Sequence, residues 1–332
     1  MTNYKEERDI MEFLIEDWYT LSNSIALSGA IRDLKSNSLE KFEIGVATPW
    51  MAVFENNPNV SVVSSTAEKI KSMQDPYLIM QANASAYHLS VQYAETLGRA
   101  LDVDMVNRKS CGDIHLSSEE KDLSEVESKK LIGDSPYWLL CTACECGTPA
   151  KSWVNKRWER IVDKFRGKIL FAQVSAPRDS YGRDDLTDDF NAHIPGTIDL
   201  RGKLDVRQLI RLTYRAEGVL TVPTFAMGLA AAVPMPKDST RATRPCVIIG
   251  GGRESEKWVS ISNQQYISLS GALACNRSGG CWQESLEEGH NRACSHVVKR
   301  DGQRVPYCMS LITVNDVVRR MSYFLAGDPK TC

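Results

Sequence analysis

CVIIGGGRESEKW, residues 246–258, is the stretch whose reading decides the fold. An apolar, β-branched run that ends in three glycines has the pattern of a strand buried on both faces and opening into a tight turn. Strands of that kind belong to parallel sheets, where ligands gather at the carboxyl ends. The Arg-Glu pair behind the glycines suits the floor of a nucleotide pocket. A strand-like QQYISLSG (264–271) follows, then CNRSGGCWQ (275–283), Cys294 and VPYCM (305–309). Four cysteines in so short a stretch suit a metal-held finger.

Working back from this strand, the pattern alternates strand and helix. YWLLC (137–141), KILFAQV (168–174), GVLTV (218–222) and CVIIG (246–250) read as strands. Helical periodicity falls at 154–166, 206–216 and 226–233. The N-terminal half repeats the alternation. MEFLI (11–15) reads as a strand, 18–22 as a turn and NSIALSGAIRDL (23–34) as a helix. FEIGVAT (42–48), VSVVSS (60–65) and PYLIMQA (76–82) read as strands, and 87–101 as a helix. Alternation of this kind predicts two α/β units with parallel sheets. SSEEKDLSEVESKK (117–130) lacks a sustained apolar face and reads as a linker with a helical piece. ITVNDVVRRMSYFL (312–325) reads as a closing helix with Thr313 as its cap and Asp316 three residues on. The boundaries expected are an N-terminal domain 1–116, a linker 117–135, a C-terminal domain 136–312 that includes the finger 275–308, and a closing helix and tail 313–332.

Composition bounds the class. The 332 residues suffice for two domains with cores of their own, and 42% apolar and 25% charged residues are values of a globular protein. Net charge is −2, so no global positive field draws nucleic acid or anionic lipid, although a local basic patch stays open. The opening residues lack the long apolar core of a secretory signal, and no run is long enough to span a bilayer. A cytoplasmic location is therefore expected. Ten cysteines in a reducing compartment indicate metal or burial rather than cross-links. A dinucleotide-dependent oxidoreductase would carry G-x-G-x-x-G after its first strand, and none occurs there.

Five segments, in this order, resemble the ADP-heptose:lipopolysaccharide heptosyltransferase-like family of inverting GT-B glycosyltransferases. They are SNSIALSGAIRDL (22–34), CTACECGTPAKSW (141–153), TFAMGLAAAVP (224–234), GGGRESEKW (250–258) and the cysteine-bearing tail. The tail resembles a subset of the family with a C-terminal four-cysteine metal finger, of which a related autotransporter heptosyltransferase holds iron. The likeness covers most of the chain, best over 137–325 and least over 50–135. It implies two Rossmann-like domains facing across a cleft. It also implies transfer of a sugar from an ADP- or UDP-linked heptose, pentose or hexose to an acceptor hydroxyl, with inversion and no catalytic metal. The acceptor implied is a carbohydrate or glycolipid; a hydroxymethylated base in phage-type DNA is an alternative. Oligomers are compatible with this reading.

The leaving diphosphate needs positive charge and backbone N–H groups. Lys151 supplies a cation behind a strand-end loop, or is a solvated helix-entry lysine. Thr142 lies on the same loop. Thr224 can cap a helix whose first residues, Ala226, Met227 and Gly228, present their N–H groups and the dipole. Gly250, Gly251 and Gly252 permit close backbone approach, or mark a strand-to-turn junction. Glu254 either accepts ribose hydroxyls or pairs with Arg253 or Lys257. Asn23 stands where the family has Asp, Ser22 where it has Gly, and Gly228 where it has His. An amide orients a hydroxyl but takes no proton at neutral pH. His88 is the first substitute base, with His193 and Asp199 as others. A catalytically degenerate member serving as a binding or scaffold subunit is the remaining alternative.

Cys275, Cys281, Cys294 and Cys308, separated by five, twelve and thirteen residues, are the candidate ligands of a structural zinc or iron. Scattered core thiols are the competing account, and His290 or His296 could replace a ligand. Cys141, Cys144 and Cys146 read as loop thiols. Trp153 and Trp158 read as core. The basic run 151–168 reads as a solvated amphipathic helix, or as a face toward an anionic acceptor.

Overall fold

The computed structural model describes residues 11–17, 20–39, 42–66, 77–79, 88–106, 108–142, 149–176, 191–261, 263–277, 280–281 and 294–325. The chain divides into two compact units, Met1–Asn83 with Leu89–His115, and Ala84–His88 with Leu116–Cys332.

The first unit comprises β1 (Met11–Glu16), α1 (Leu21–Asn37), β2 (Phe42–Ala47), β3 (Val62–Ser64), β4 (Tyr77–Ile79) and α2 (Leu89–Leu101). Its strands form a parallel sheet in the order β3-β2-β1-β4. Register is fixed from Met11↔Phe42 to Glu16↔Ala47, which pairs the fully buried Phe13 with Ile44 and Ile15 with Val46. Each such side chain contributes about 1.5–3 kcal/mol on leaving water. Helix α1 begins two residues earlier than its apolar periodicity suggests. Thr20 is its N-cap and accepts the Asn23 N–H at 3.3 Å, so Ser22 and Asn23 lie in the first turn.

The second unit contains α3 (Ser118–Leu131), β5 (Tyr137–Cys141), a 3-10 turn Pro149–Lys151, α4 (Asn155–Lys164), β6 (Leu170–Gln173) and β7 (Ile198–Asp199). It continues with α5 (Val206–Arg215), β8 (Gly218–Thr221), α6 (Phe225–Ala232), β9 (Cys246–Gly251), α7 (Glu256–Val259) and β10 (Gln265–Ser268). A 3-10 turn Ala274–Asn276, the hairpin β11 (Val297–Arg300) and β12 (Gln303–Pro306), α8 (Tyr307–Leu311) and α9 (Val314–Leu325) complete it. The six strands β10-β9-β8-β5-β6-β7 are all parallel. Numbered within the unit, this is 3-2-1-4-5-6, the doubly wound order. Every residue of β5 and β9 is buried, as expected of strands covered on both faces. The strand order reverses between β5 and β8, and that switch point positions the candidate site.

The charged segment 117–130 folds as α3, opened by a capping box of Ser117 and Glu120. It buries Ser124 and Ser128 rather than an apolar stripe. Charge holds it to α5: Arg207 donates Nε to Glu120 at 2.8 Å and Arg211 donates Nε to Glu127 at 2.7 Å. This is why hydrophobic periodicity gives it no face. α9 is opened as expected, with Asp316 N–H donating to Thr313 Oγ1 at 3.3 Å and Thr313 N–H returning to Asp316 Oδ2 at 2.8 Å. Trp153 and Trp158 are core residues in edge-to-face contact at 4.9 Å. The β11–β12 hairpin has no apolar alternation that would announce it.

Candidate functional site

The polypeptide leaves β5 and β8 on either side of the switch point, and two sequence-distant segments meet there. The 3-10 turn after β5 presents Lys151, and the turn after β8 presents Pro223 and Thr224. Lys151 Nζ donates to the Pro223 carbonyl at 3.2 Å and forms an ion pair with Glu254 Oε1 at 2.5 Å. Glu254 comes from the end of β9, the next strand of the sheet. Both side chains are largely enclosed, with 17% and 10% exposure. Of the two pairings open to Glu254 from sequence, neither Arg253 nor Lys257 is the one found: the cation is Lys151. Glu254 Oε2 is buried with no hydrogen-bond partner among the described residues. Such an acceptor lacks the donor that a buried carboxylate oxygen ordinarily takes.

Thr224 caps α6 as expected, but the cap occupies donors assigned to phosphate. Ala226 N–H donates to Thr224 Oγ1 at 3.0 Å and Met227 N–H to the Thr224 carbonyl at 3.2 Å. The N-terminal dipole of α6 remains, with Gly228 half-buried in its first turn. Gln264, which the sequence reading did not single out, donates Nε2 to the Met227 carbonyl at 2.8 Å and fixes this turn. Thr142 is turned away from the site. It is 4% exposed and accepts Gln173 Nε2 at 3.2 Å, inside the sheet. Residues 143–148, with Cys144 and Cys146, lie outside the described residues.

The glycines at the end of β9 are in positions where packing leaves no room for a side chain. A Cβ at Gly250 would stand 2.1 Å from the Tyr266 ring, one at Gly251 would meet Met309 Sδ at 2.4 Å, and one at Gly252 would meet Asn276 Nδ2 at 2.0 Å. Gly251 also holds φ +63°, a conformation L side chains rarely adopt. The side chains of Met309 and Asn276 stand where a Cβ at Gly251 or Gly252 would project.

In the first unit, Asn23 is 9% exposed and engaged at both ends of its amide. Thr20 Oγ1 donates to Asn23 Oδ1 at 2.5 Å, and Asn23 Nδ2 donates to the Tyr93 hydroxyl at 2.6 Å. Tyr93 lies 70 residues away on α2, and nothing local in sequence announces the contact. The first unit also buries Asp17 fully at the end of β1, where Ser24 Oγ donates to its carboxylate. An acid ending an apolar strand just ahead of a helix was the signal for it.

His88 belongs to the second unit, against the backbone of Val259 and Ser260. Burial holds it below the ordinary imidazole range, outweighing those two backbone contacts, so it is neutral near pH 7. Asp199 is a weak candidate base. Arg201 grips it with Nε and Nη2 at 2.7 and 2.9 Å, and these bonds draw its pKa to about 2. His193 is exposed, with Nε2 3.4 Å from the Thr197 carbonyl.

Among the described residues, no three His, Cys, Asp or Glu side chains converge to hold an ion. Cys275, Cys281, Cys294 and Cys308 are free thiols. They nonetheless share a neighbourhood. Burial pushes Cys281 up to about 11 against the charge of Arg253, and Cys308, Cys294 and Cys275 add to the rise. Cys308 lies beside Gly252 and Cys281 N–H donates to the Gly252 carbonyl at 3.4 Å, which ties the cysteine region to the floor of the Lys151 site. His290 lies outside the described residues.

No protein-family model and no curated protein matches the sequence. Solved structures match across nearly its whole length. A family 9 glycosyltransferase from Veillonella parvula superposes with a TM-score of 0.67 at 14% identity, covering 96% of this chain and 98% of that one. The ADP-heptose lps heptosyltransferase II of E. coli gives 0.62 at 12% identity, covering 95% and 99%. TibC, an iron-containing dodecameric glycosyltransferase from enterotoxigenic E. coli, gives 0.64 at 17% identity, covering 94% and 76%. TibC is also solved in complex with ADP-D-β-D-heptose, with a TM-score of 0.60 at 16% identity, covering 95% and 76%. The fold of this chain is therefore that of the GT-B heptosyltransferases, built from two Rossmann-like units. No helix among the described residues is long and apolar enough to cross a membrane.

Proposed function

We propose that this protein is a cytoplasmic glycosyltransferase that takes its sugar from a nucleoside diphosphate sugar. The observation that carries the proposal is the half-buried Lys151, held by Pro223 and Glu254 at the switch point of a doubly wound sheet. A diphosphate there exchanges Glu254 for phosphate oxygens as the partner of Lys151, with the α6 dipole behind it. Glu254, released and still enclosed, then accepts hydroxyl donors from the ribose. The ADP-D-β-D-heptose bound by TibC supports an ADP-linked heptose as the first donor to test.

In the reaction, the bond from the anomeric carbon to the diphosphate breaks as an acceptor hydroxyl bonds from the opposite face. The diphosphate leaves with the electron pair, and the hydroxyl proton passes to a base. Asn23 cannot be that base, and the proton is assigned to His88, which burial against the backbone of Val259 and Ser260 keeps neutral. The acceptor is a carbohydrate or glycolipid hydroxyl. The four thiols suit a structural zinc or iron, which would draw Cys275, Cys281, Cys294 and Cys308 together and brace the Gly252 turn; it takes no part in transfer.

The engagement of Asn23 at both ends favours one second reading, a binding subunit that holds the nucleotide without transferring the sugar. Asn23→Asp separates the two. Thr20 already donates to one oxygen, and the Tyr93 hydroxyl can turn its proton toward the other, so Asp is accommodated. If transfer or donor hydrolysis appears or rises at least tenfold in the variant, the enzyme reading stands. Binding of ADP-heptose without turnover in either form would leave only the binding subunit, and absence of binding by any ADP- or UDP-sugar would end both.

A further inference from the structure

The net charge of −2 conceals a basic face on the second unit. Segments 156–164 and 297–306 carry seven basic and three acidic side chains. Lys156, Arg160 and Lys164 recur every fourth residue of α4, so they form one stripe along the helix. All three are exposed. The β11–β12 hairpin lies beside this stripe. Its Gln303 side chain accepts the Asn155 N–H at 2.8 Å, and Asp301 at its tip stands 3.9 Å from Arg160. It adds the exposed Lys299, Arg300 and Arg304. Lys156 and Arg304 line one groove of about 840 Å³ with Asn155, Glu159, Asp301 and Gln303.

Among the described residues most of these charges are not neutralised. Lys156, Lys164, Lys299, Arg300 and Arg304 form no ion pair among the described residues. By contrast, the cations at the α3–α5 contact are matched by carboxylates. Burial lowers the proton affinity of Arg157; Asp301 opposes this, and the nearby charges of Arg160 and Arg300 add to it. Like charges gathered in excess of their carboxylate partners cost folding free energy, and an external polyanion relieves that cost.

We propose that the α4 stripe and the β11–β12 hairpin form a docking surface for an anionic lipid bilayer. This goes beyond the donor reading and does not depend on it. Two features select lipid over nucleic acid. Tyr307 and Leu311 of α8, at the foot of the hairpin, are 39% and 40% exposed, as amphipathic anchors at headgroup depth are. Trp153 and Trp158, which could stack on bases, are buried in the core.

The test is co-sedimentation of the full chain with phosphatidylcholine vesicles, with and without phosphatidylglycerol, at low and high salt. Binding is expected only with phosphatidylglycerol and to weaken as salt rises. The variant K299Q/R300Q/R304Q is expected to lose on the order of a hundredfold in partitioning, at roughly fivefold per basic residue. If that triple variant does not fold, Arg300→Gln alone must show the fivefold loss. Equal binding to both vesicles, binding unmoved by the variants, or no binding at all overturns the proposal. Preference for duplex DNA over the anionic vesicles overturns it in favour of a nucleic-acid surface.

Discussion

Lys151→Met separates two roles that the structure places on one side chain. In the free protein Lys151 neutralises Glu254, a residue 7% exposed. Replacing the ammonium by an isosteric apolar chain leaves that carboxylate enclosed and unpaired. Breaking a fully buried pair costs about 3–5 kcal/mol. The 17% exposure of Lys151 lets water reach it, so about 2–3 kcal/mol is expected here. Lys151→Met/Glu254→Gln removes both charges and should regain most of that loss. Binding should behave differently. A charge-assisted contact to phosphate contributes about 1.5–3 kcal/mol, or roughly a ten- to hundredfold change in Kd. ADP titrated calorimetrically should therefore bind weakly to the single and the double variant alike, while urea unfolding finds the double variant close to the native protein. A Lys151→Met variant as stable as the parent would refute the ion pair. A double variant with native ADP affinity would refute the phosphate role.

Three further outcomes follow from other parts of the fold. Gly250→Ala should cost about 1–3 kcal/mol, read as a lowered unfolding midpoint, because its Cβ would fall 2.1 Å from the Tyr266 ring; Tyr266→Ala in the same chain should relieve the clash. Burial raises Glu120, but hydrogen bonds from Arg207 and Ser117 and the charges of Arg207 and Arg211 outweigh it, so its folded pKa is depressed. The stability it adds is present above the unfolded carboxylate value, about 4.3, and is lost as pH falls through the folded value. Glu120→Gln should thus cost about 1.5–3 kcal/mol at pH 7 and progressively less in acid, measured by urea unfolding across that range. Elemental analysis of purified protein should find zinc or iron near one per chain, and chelation should lower the melting temperature of the parent but not of Cys275→Ser/Cys281→Ser; metal-free protein with an unaltered melting curve would count against the finger.

The alternation of strands and helices was legible because buried parallel strands demand unbroken apolar runs, as in YWLLC and CVIIGG. Local chemistry was legible for the same reason: the Thr313–Asp316 box and the Thr224 cap depend only on residues two or three apart. α3 was legible only as a helical piece within a linker, because ion pairs rather than an apolar stripe hold it to α5, and the β11–β12 hairpin went unread because its strands lack apolar alternation. Likewise Tyr93 could not be tied to Asn23, since α2 must first pack on α1. The residue types around the switch point were also written in the chain, but their partners were not. Only the crossing of β5, β8 and β9 in one sheet decided that Lys151 pairs with Glu254 rather than leaving Glu254 to its neighbours in sequence. Sequence thus determined which segments become strands and helices, through interactions of short range. Tertiary structure determined which charge faces which, because that depends on strand order, a property of the whole sheet.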